Sequence, residues 1–131
     1  MKRSGGAFSF VKNYKNIIEV LADHGLASLG DAYTNLAYSL ALSNRKGKPL
    51  GAKVKGTVLS EALKKAGLRI YLPSRMTRHR LADATEALVV YAWLHNYVTL
   101  EESVTILEKN ENPIDGFSQL LTTIKKRIKL S

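Results

Sequence analysis

Leu81-Ala82-Asp83-Ala84-Thr85-Glu86-Ala87-Leu88 is the stretch on which the reading of the chain turns. Its ends are apolar, Val89 and Val90 extend the run, and alanines occupy positions 82, 84 and 87. Such a composition reads as a buried helix with a narrow polar notch. Three residues apart on a helix, Asp83 and Glu86 share one face about a turn from each other. Like charges that close repel, and burying either costs several kcal/mol unless a cation compensates. A divalent metal is the obvious compensator, and a solvated acidic face is the plain alternative. Which of the two holds depends on whether another acid faces the pair.

Working outward, that acid is found in Leu29-Gly30-Asp31-Ala32-Tyr33-Thr34-Asn35-Leu36-Ala37. Asp31 falls on a helix otherwise dominated by apolar and small residues, where an acid is usually bonded to a partner. Gly30 costs about 1 kcal/mol there relative to alanine, which is best explained by another backbone packing against it. If the two helices cross at Gly30, Ala82, Ala84 and Ala87, Asp31 converges with Asp83 and Glu86. Three carboxylates around a point form a hard-oxygen site suited to Mg²⁺ or Mn²⁺.

The remaining periodicity predicts an all-α fold of about six helices. Phe8 to Asp23 carries one apolar stripe, with His24-Gly25 as its stop. A second helix runs from Leu26 to Ser43, followed by a polar connector over 44–51. Lys53 to Ala66 forms a third, ended by Gly67. Leu68 to Leu72 reads as a loop or short helical turn, and the basic connector 73–80 leads into the central helix, which continues to Asn96. Thr99 and Glu102 form a capping box opening a fifth helix to Lys109. After Asn112-Pro113 a final helix starts at Asp115 or Ser118 and ends in a cationic turn. The whole chain, 1–131, is read as one domain.

The net charge of +9 is unevenly spread. Residues 45–80 hold eleven Lys or Arg against the single acid Glu61, whereas the rest of the chain is nearly neutral. Concentrated positive charge favours a polyanion, most commonly nucleic acid. Lys53, Lys55, Arg75, Arg78 and Arg80 are the candidates for phosphate contacts. With no cysteine, thiolate metal sites and cysteine nucleophiles are excluded. The three histidines lack ligand spacing, no glycine-rich phosphate loop is present, and no serine sits in a nucleophile elbow. Tyr33, Tyr38, Tyr91, Trp93 and Tyr97 are spaced for core or dimer packing. No apolar run reaches the length of a membrane span, and Met1 to Gly6 lacks a signal-peptide core, so a cytoplasmic protein is expected.

Taken together, the two acidic stretches resemble the signature motifs of the ribonuclease III family. Leu29-Gly30-Asp31-Ala32 looks like the second half of Glu-Arg-Leu-Glu-Phe-Leu-Gly-Asp-Ala/Ser. Leu81-Ala82-Asp83-Ala84-Thr85-Glu86-Ala87-Leu88 is similar to Leu-Ala-Asp-x-x-Glu-Ala-Leu, the more specific of the two. The order is the family's, and the resemblance covers roughly residues 22–100. It implies an all-helical endonuclease fold, a homodimer, and metal-dependent cleavage of double-stranded or structured RNA. Asp31, Asp83 and Glu86 match three of the family's four metal-site acids, with Mg²⁺ or Mn²⁺ as the implied cofactor. The chain resembles the compact members that have the catalytic domain alone, without a double-stranded-RNA-binding domain. It departs from the pattern at Ala27, where the family has a glutamate, and at His24, where the signature has another. Asp23 could offset the lost anion through a turn at Gly25. Two other readings stay open: a relative that binds RNA without cutting it, and a small helical interaction or DNA-binding module in which the acids are incidental.

Overall fold

The computed structural model describes residues 8–129, and the Met1 to Gly6 stretch read above for a signal-peptide core lies outside them. Six α-helices follow in order: α1 (Ile17–Leu21), α2 (His24–Lys46), α3 (Gly56–Lys65), α4 (Arg78–Leu94), α5 (Leu100–Lys109) and α6 (Pro113–Arg127). A single 3₁₀ turn, Arg69–Tyr71, bridges α3 and α4, and there is no strand among the described residues. The fold is all-α, as the periodicity predicts. No helix among the described residues is long and apolar enough to cross a membrane.

The stretch 81–94 lies at the centre because it is apolar on nearly every side. Leu81, Ala82 and all of Ala84 to Ala92 are buried, so α4 has no solvent stripe beyond its first turn and Asp83. Helices α1, α2, α3 and α6 pack around it. Leu59 and Leu63 of α3, Leu88 to Val90 of α4, and Phe117, Leu120, Leu121 and Ile124 of α6 fill the space between them.

The closest approach is between α2 and α4. A Cβ on Gly30 would lie 2.0 Å from the Glu86 carbonyl oxygen and 2.5 Å from its carbon. The helices therefore touch backbone to backbone, and the missing side chain allows it. This contact sets the acids of the two helices beside each other.

Several boundaries differ from those the sequence predicts. The first helix shrinks to Ile17–Leu21, and the residues before it pack through their rings instead. Phe8 lies 5.7 Å from Trp93 between ring centroids, and Tyr14 meets Tyr91 edge-on at 5.5 Å. His24-Gly25 opens α2 rather than closing α1, because the Asp23 side chain accepts the Leu26 N–H at 2.9 Å. A good N-cap outweighs the poor propensity of a first-turn glycine. At its far end α2 runs on to Lys46, where Gly47 caps it at φ 72°. The final helix starts at Pro113, not later, since a proline fits the first turn and Asn112 caps the Ile114 N–H at 2.8 Å. The capping box of α5 forms in both directions.

The third helix starts at Gly56 rather than Lys53 because the preceding residues are extended along α2. Ser43 Oγ accepts the Leu50 N–H at 2.9 Å and lies 3.1 Å from the Leu50 carbonyl. Ser39 Oγ accepts the Ala52 N–H at 2.9 Å and donates to the Ala52 carbonyl at 3.0 Å. The Val54 N–H, in turn, donates to Asn35 Oδ1 at 2.8 Å. Four residues of helix rise about 6 Å and two extended residues about 6.6 Å, so positions 43, 39 and 35 stay in step with 50, 52 and 54. Polar side chains of one helix thus do the work of a neighbouring strand.

Candidate acidic cleft and its basic rim

The crossing of α2 and α4 leaves an open cleft of about 400 Å³ where the first two turns of each helix diverge from the extended segment. Asp31 enters it from α2, Asp83 and Glu86 from α4, and Lys53 from the segment before α3. His24, Ala27 and Ser28 line its α2 side, and His79 its α4 side. The three sequence-predicted acids are brought together. Of the five predicted cations, Lys53 alone lines this cleft.

The acids differ in environment. Glu86 is buried at 8% exposure, Asp83 is half-buried, and Asp31 is exposed on the cleft wall. Burial pushes the Glu86 carboxyl up, a hydrogen bond with Asp31 and the charges of Asp31 and Asp83 push it further, and Lys53 opposes them; the result is about 8. At neutral pH Glu86 therefore holds a proton and donates it to the Asp31 carboxylate. Asp31 also accepts from Asn35 Nδ2 at 3.2 Å. Asp83 faces His79 instead, with Oδ2 3.8 Å from Nε2.

These oxygens have the chemistry of a hard-cation site: one buried acid, two more beside it, and a single lysine to offset them. Among the described residues, however, no three histidine, aspartate or glutamate side chains stand as a ready set around one point. Asp31 and Glu86 are in contact, while Asp83 turns toward His79. Asp31, Asp83 and Glu86 are the residues that would hold a divalent ion here. The donor types fit.

Ala27 and His24 lie on the wall of the cleft. Ala27 is 7% exposed, and its methyl group lines the cleft that holds the three acids. Asp23 does not line this cleft. It caps α2, accepts from Tyr14 Oη at 2.5 Å, and borders the neighbouring pocket that shares His24, Ala27 and Asp83 with it. Burial raises its carboxyl, but the hydrogen bonds from Tyr14, Leu26 and Gly25 outweigh this and hold it below the usual range.

Of the cations in residues 45–80, several are spent on the fold. Arg45 donates to the Leu107, Glu108 and Asn110 carbonyls at the end of α5. Arg69 donates to the Leu72 and Ser74 carbonyls. Lys64 pairs with Glu61, and Lys65 with Asp115. Lys53, Lys55, Arg75, Arg78 and Arg80 are different: all are exposed and none forms an ion pair among the described residues. Arg80 borders a second, apolar pocket of about 180 Å³ that shares His24, Ala27 and Asp83 with the acidic cleft. Lys55 stands at the N-cap of α3, and Arg78 opens α4.

Sequence reasoning missed Asn35 and the pairing of Asp83 with His79. The signal for the first was available: Asn35, Ser39 and Ser43 recur every four residues on one helix. Nothing in that pattern says what the three polar groups hold.

An all-helical molecule with an acidic cleft lined by one lysine defines a class before it defines a family. The ribonuclease III family model matches residues 24–130, from the first residue of α2 to beyond the end of α6. The chain belongs to the ribonuclease III family. The match extends past the two motifs through α5 and α6, further than the resemblance read from the sequence. No curated protein matches the chain.

Proposed function

We propose that this chain is an endoribonuclease that binds double-stranded or structured RNA and hydrolyses its phosphodiester bonds with a divalent metal, Mg²⁺ or Mn²⁺. The observation that carries this reading is the convergence of Asp31, Asp83 and Glu86 in one cleft, with Glu86 buried. The family match supports ribonuclease-type chemistry, and this reading assigns that chemistry to the acids of the cleft.

In this reading Asp31, Asp83 and Glu86 would hold the metal, which supplies an activated water and charge neutralisation at the phosphate. The chain's own groups do the rest. Lys53, at the mouth of the cleft, attracts the scissile phosphate and lowers the cost of ionising Glu86. Asn35 holds the Asp31 carboxylate at one of its oxygens. Lys55, Arg75, Arg78 and Arg80 are exposed, form no ion pair among the described residues, and in this reading meet the flanking backbone. Contacts of that kind read RNA by shape and charge rather than by sequence.

The reading includes a homodimer. Leu29, Leu36 and Leu40 of α2 are exposed at 38%, 49% and 37%, and their spacing sets them on one stripe of the helix. An apolar stripe on the exposed face of α2 suits a second copy of the chain. A single domain acting in the cytoplasm completes the proposal.

A second reading is favoured by Ala27. With one acid fewer, the cleft binds RNA but turns it over poorly or not at all. Incubating the purified protein with labelled duplex RNA and Mg²⁺ or Mn²⁺ separates the two. Cleavage that disappears in a Glu86→Gln variant supports the nuclease. Duplex binding without metal and without cleavage, unaltered by Glu86→Gln, replaces it with the RNA-binding relative. Equal competition by DNA and RNA, with no metal effect, points instead to the helical module.

A further inference from the structure

The amide of Asn35 bonds both an acid of the cleft and the segment that carries its lysine. Its Nδ2 donates to Asp31 Oδ1 at 3.2 Å, and its Oδ1 accepts from the Val54 N–H at 2.8 Å. Val54 follows Lys53, the cation of the cleft, and its backbone is the last of the segment fastened to α2 by Ser43 and Ser39. Asn35 is half-buried; its bond to the Val54 N–H is partly buried, and its bond to Asp31 is exposed. A carboxamide suits this position because it offers a donor and an acceptor on one rigid plane. Aspartate offers no donor, and serine is too short to span both partners as Asn35 does.

We infer that Asn35 is a positioning residue of the acidic cleft: it orients the Asp31 carboxylate and, through the same amide, fixes the segment that delivers Lys53. This inference rests on the metal-dependent reading proposed above, and names a residue outside the acidic motifs on which it depends. An Asp31 side chain free to rotate must be reordered when a cation arrives. One already held at Oδ1 presents its other oxygen to the cleft. The partner bond keeps the ammonium of Lys53 within electrostatic reach of Glu86. Loss of Asn35 therefore loosens an acid and a base of the same site together, although it touches neither metal nor phosphate itself.

The test uses the full chain and three readouts: amide hydrogen exchange at Val54, Mn²⁺ binding followed calorimetrically, and cleavage of labelled duplex RNA. Asn35→Ala is expected to expose the Val54 amide to exchange and weaken Mn²⁺ binding about tenfold. It should lower kcat more than it raises KM. Asn35→Asp, which keeps an oxygen for the Val54 N–H, is expected to restore protection of that amide. Mn²⁺ affinity within twofold of the unaltered chain in Asn35→Ala would overturn the inference, as would persistent protection of Val54. If the unaltered chain cleaves nothing, the nuclease reading fails, while the exchange and Mn²⁺ measurements still decide the role of Asn35. Thermal unfolding of each variant separates a local change from loss of the fold.

Discussion

Gly30 and Glu86 touch through their backbones: a Cβ on the glycine would lie 2.0 Å from the glutamate carbonyl oxygen. The acid that needs compensation is thus carried on the very residue against which the neighbouring helix closes. Packing and chemistry share one contact, so a change in the first should be felt in the second.

Gly30→Ala tests that contact directly. Overpacking costs typically about 1–3 kcal/mol, and here the obstacle is backbone, which cannot rotate away. A loss of at least about 3 kcal/mol is expected, seen as a fall of about 10 °C or more in Tm. A Tm within about 2 °C of the unaltered chain would show that α2 and α4 do not meet as closely as described.

Glu86 should make stability depend on pH. Its carboxyl is raised from 4.5 to about 8 in the folded chain, so between those values the folded state holds a proton that the unfolded state has released. Stability then falls as pH rises through this window and levels off above it. Glu86→Gln cannot ionise and keeps a donor for Asp31. In metal-free buffer it is expected to match the unaltered chain near pH 4 and to exceed it by roughly 1–3 kcal/mol at pH 8.5. Urea unfolding at the two pH values measures the difference, and parallel pH profiles would contradict it.

Ala27 predicts the opposite kind of variant. Its methyl group lines the cleft at 7% exposure, so Ala27→Glu adds a carboxylate to those already converging there. Without metal the added charge is expected to lower stability by about 1–3 kcal/mol. With Mn²⁺ present the penalty should vanish and half-saturation should fall about tenfold. Differential scanning calorimetry with and without Mn²⁺ reads both effects.

The unpaired cations should act through charge alone. Lys53→Gln, Arg78→Gln and Arg80→Gln are each expected to weaken duplex binding alike across sequences. Each should reduce the slope of log affinity against log salt by somewhat under one. Arg45→Gln should instead destabilise the fold, because its guanidinium holds three carbonyls at the end of α5.

The legible parts of this molecule were those written in short-range pattern. Residues 81–90 announced a buried helix because no face of them is polar beyond the notch at Asp83 and Glu86. Gly30 announced a close crossing because a glycine there has no local benefit. Boundaries were less legible where a side chain from outside the helix decides them. The cap from Asp23 turned an apparent stop at His24-Gly25 into a start, and Asn112 did the same for Pro113. Residues 53–55 read as the start of a helix because the anchors that hold this segment extended, Asn35, Ser39 and Ser43, lie elsewhere in the chain. Convergence of the acids followed from a motif order already resembling a known family. The pairing of Asp83 with His79 did not, since a four-residue spacing on an exposed first turn looks like any solvated pair.

The central claim is that Asp31, Asp83 and Glu86 act as one metal-binding unit on RNA. Its most direct test is the single-turnover cleavage rate of a labelled RNA duplex in Mn²⁺, compared between the unaltered chain and Glu86→Gln. Cleavage by the former, none without metal, and a fall of at least about a hundredfold in the variant are expected. Equal rates in the two proteins, or cleavage that survives chelation of the metal, would contradict it.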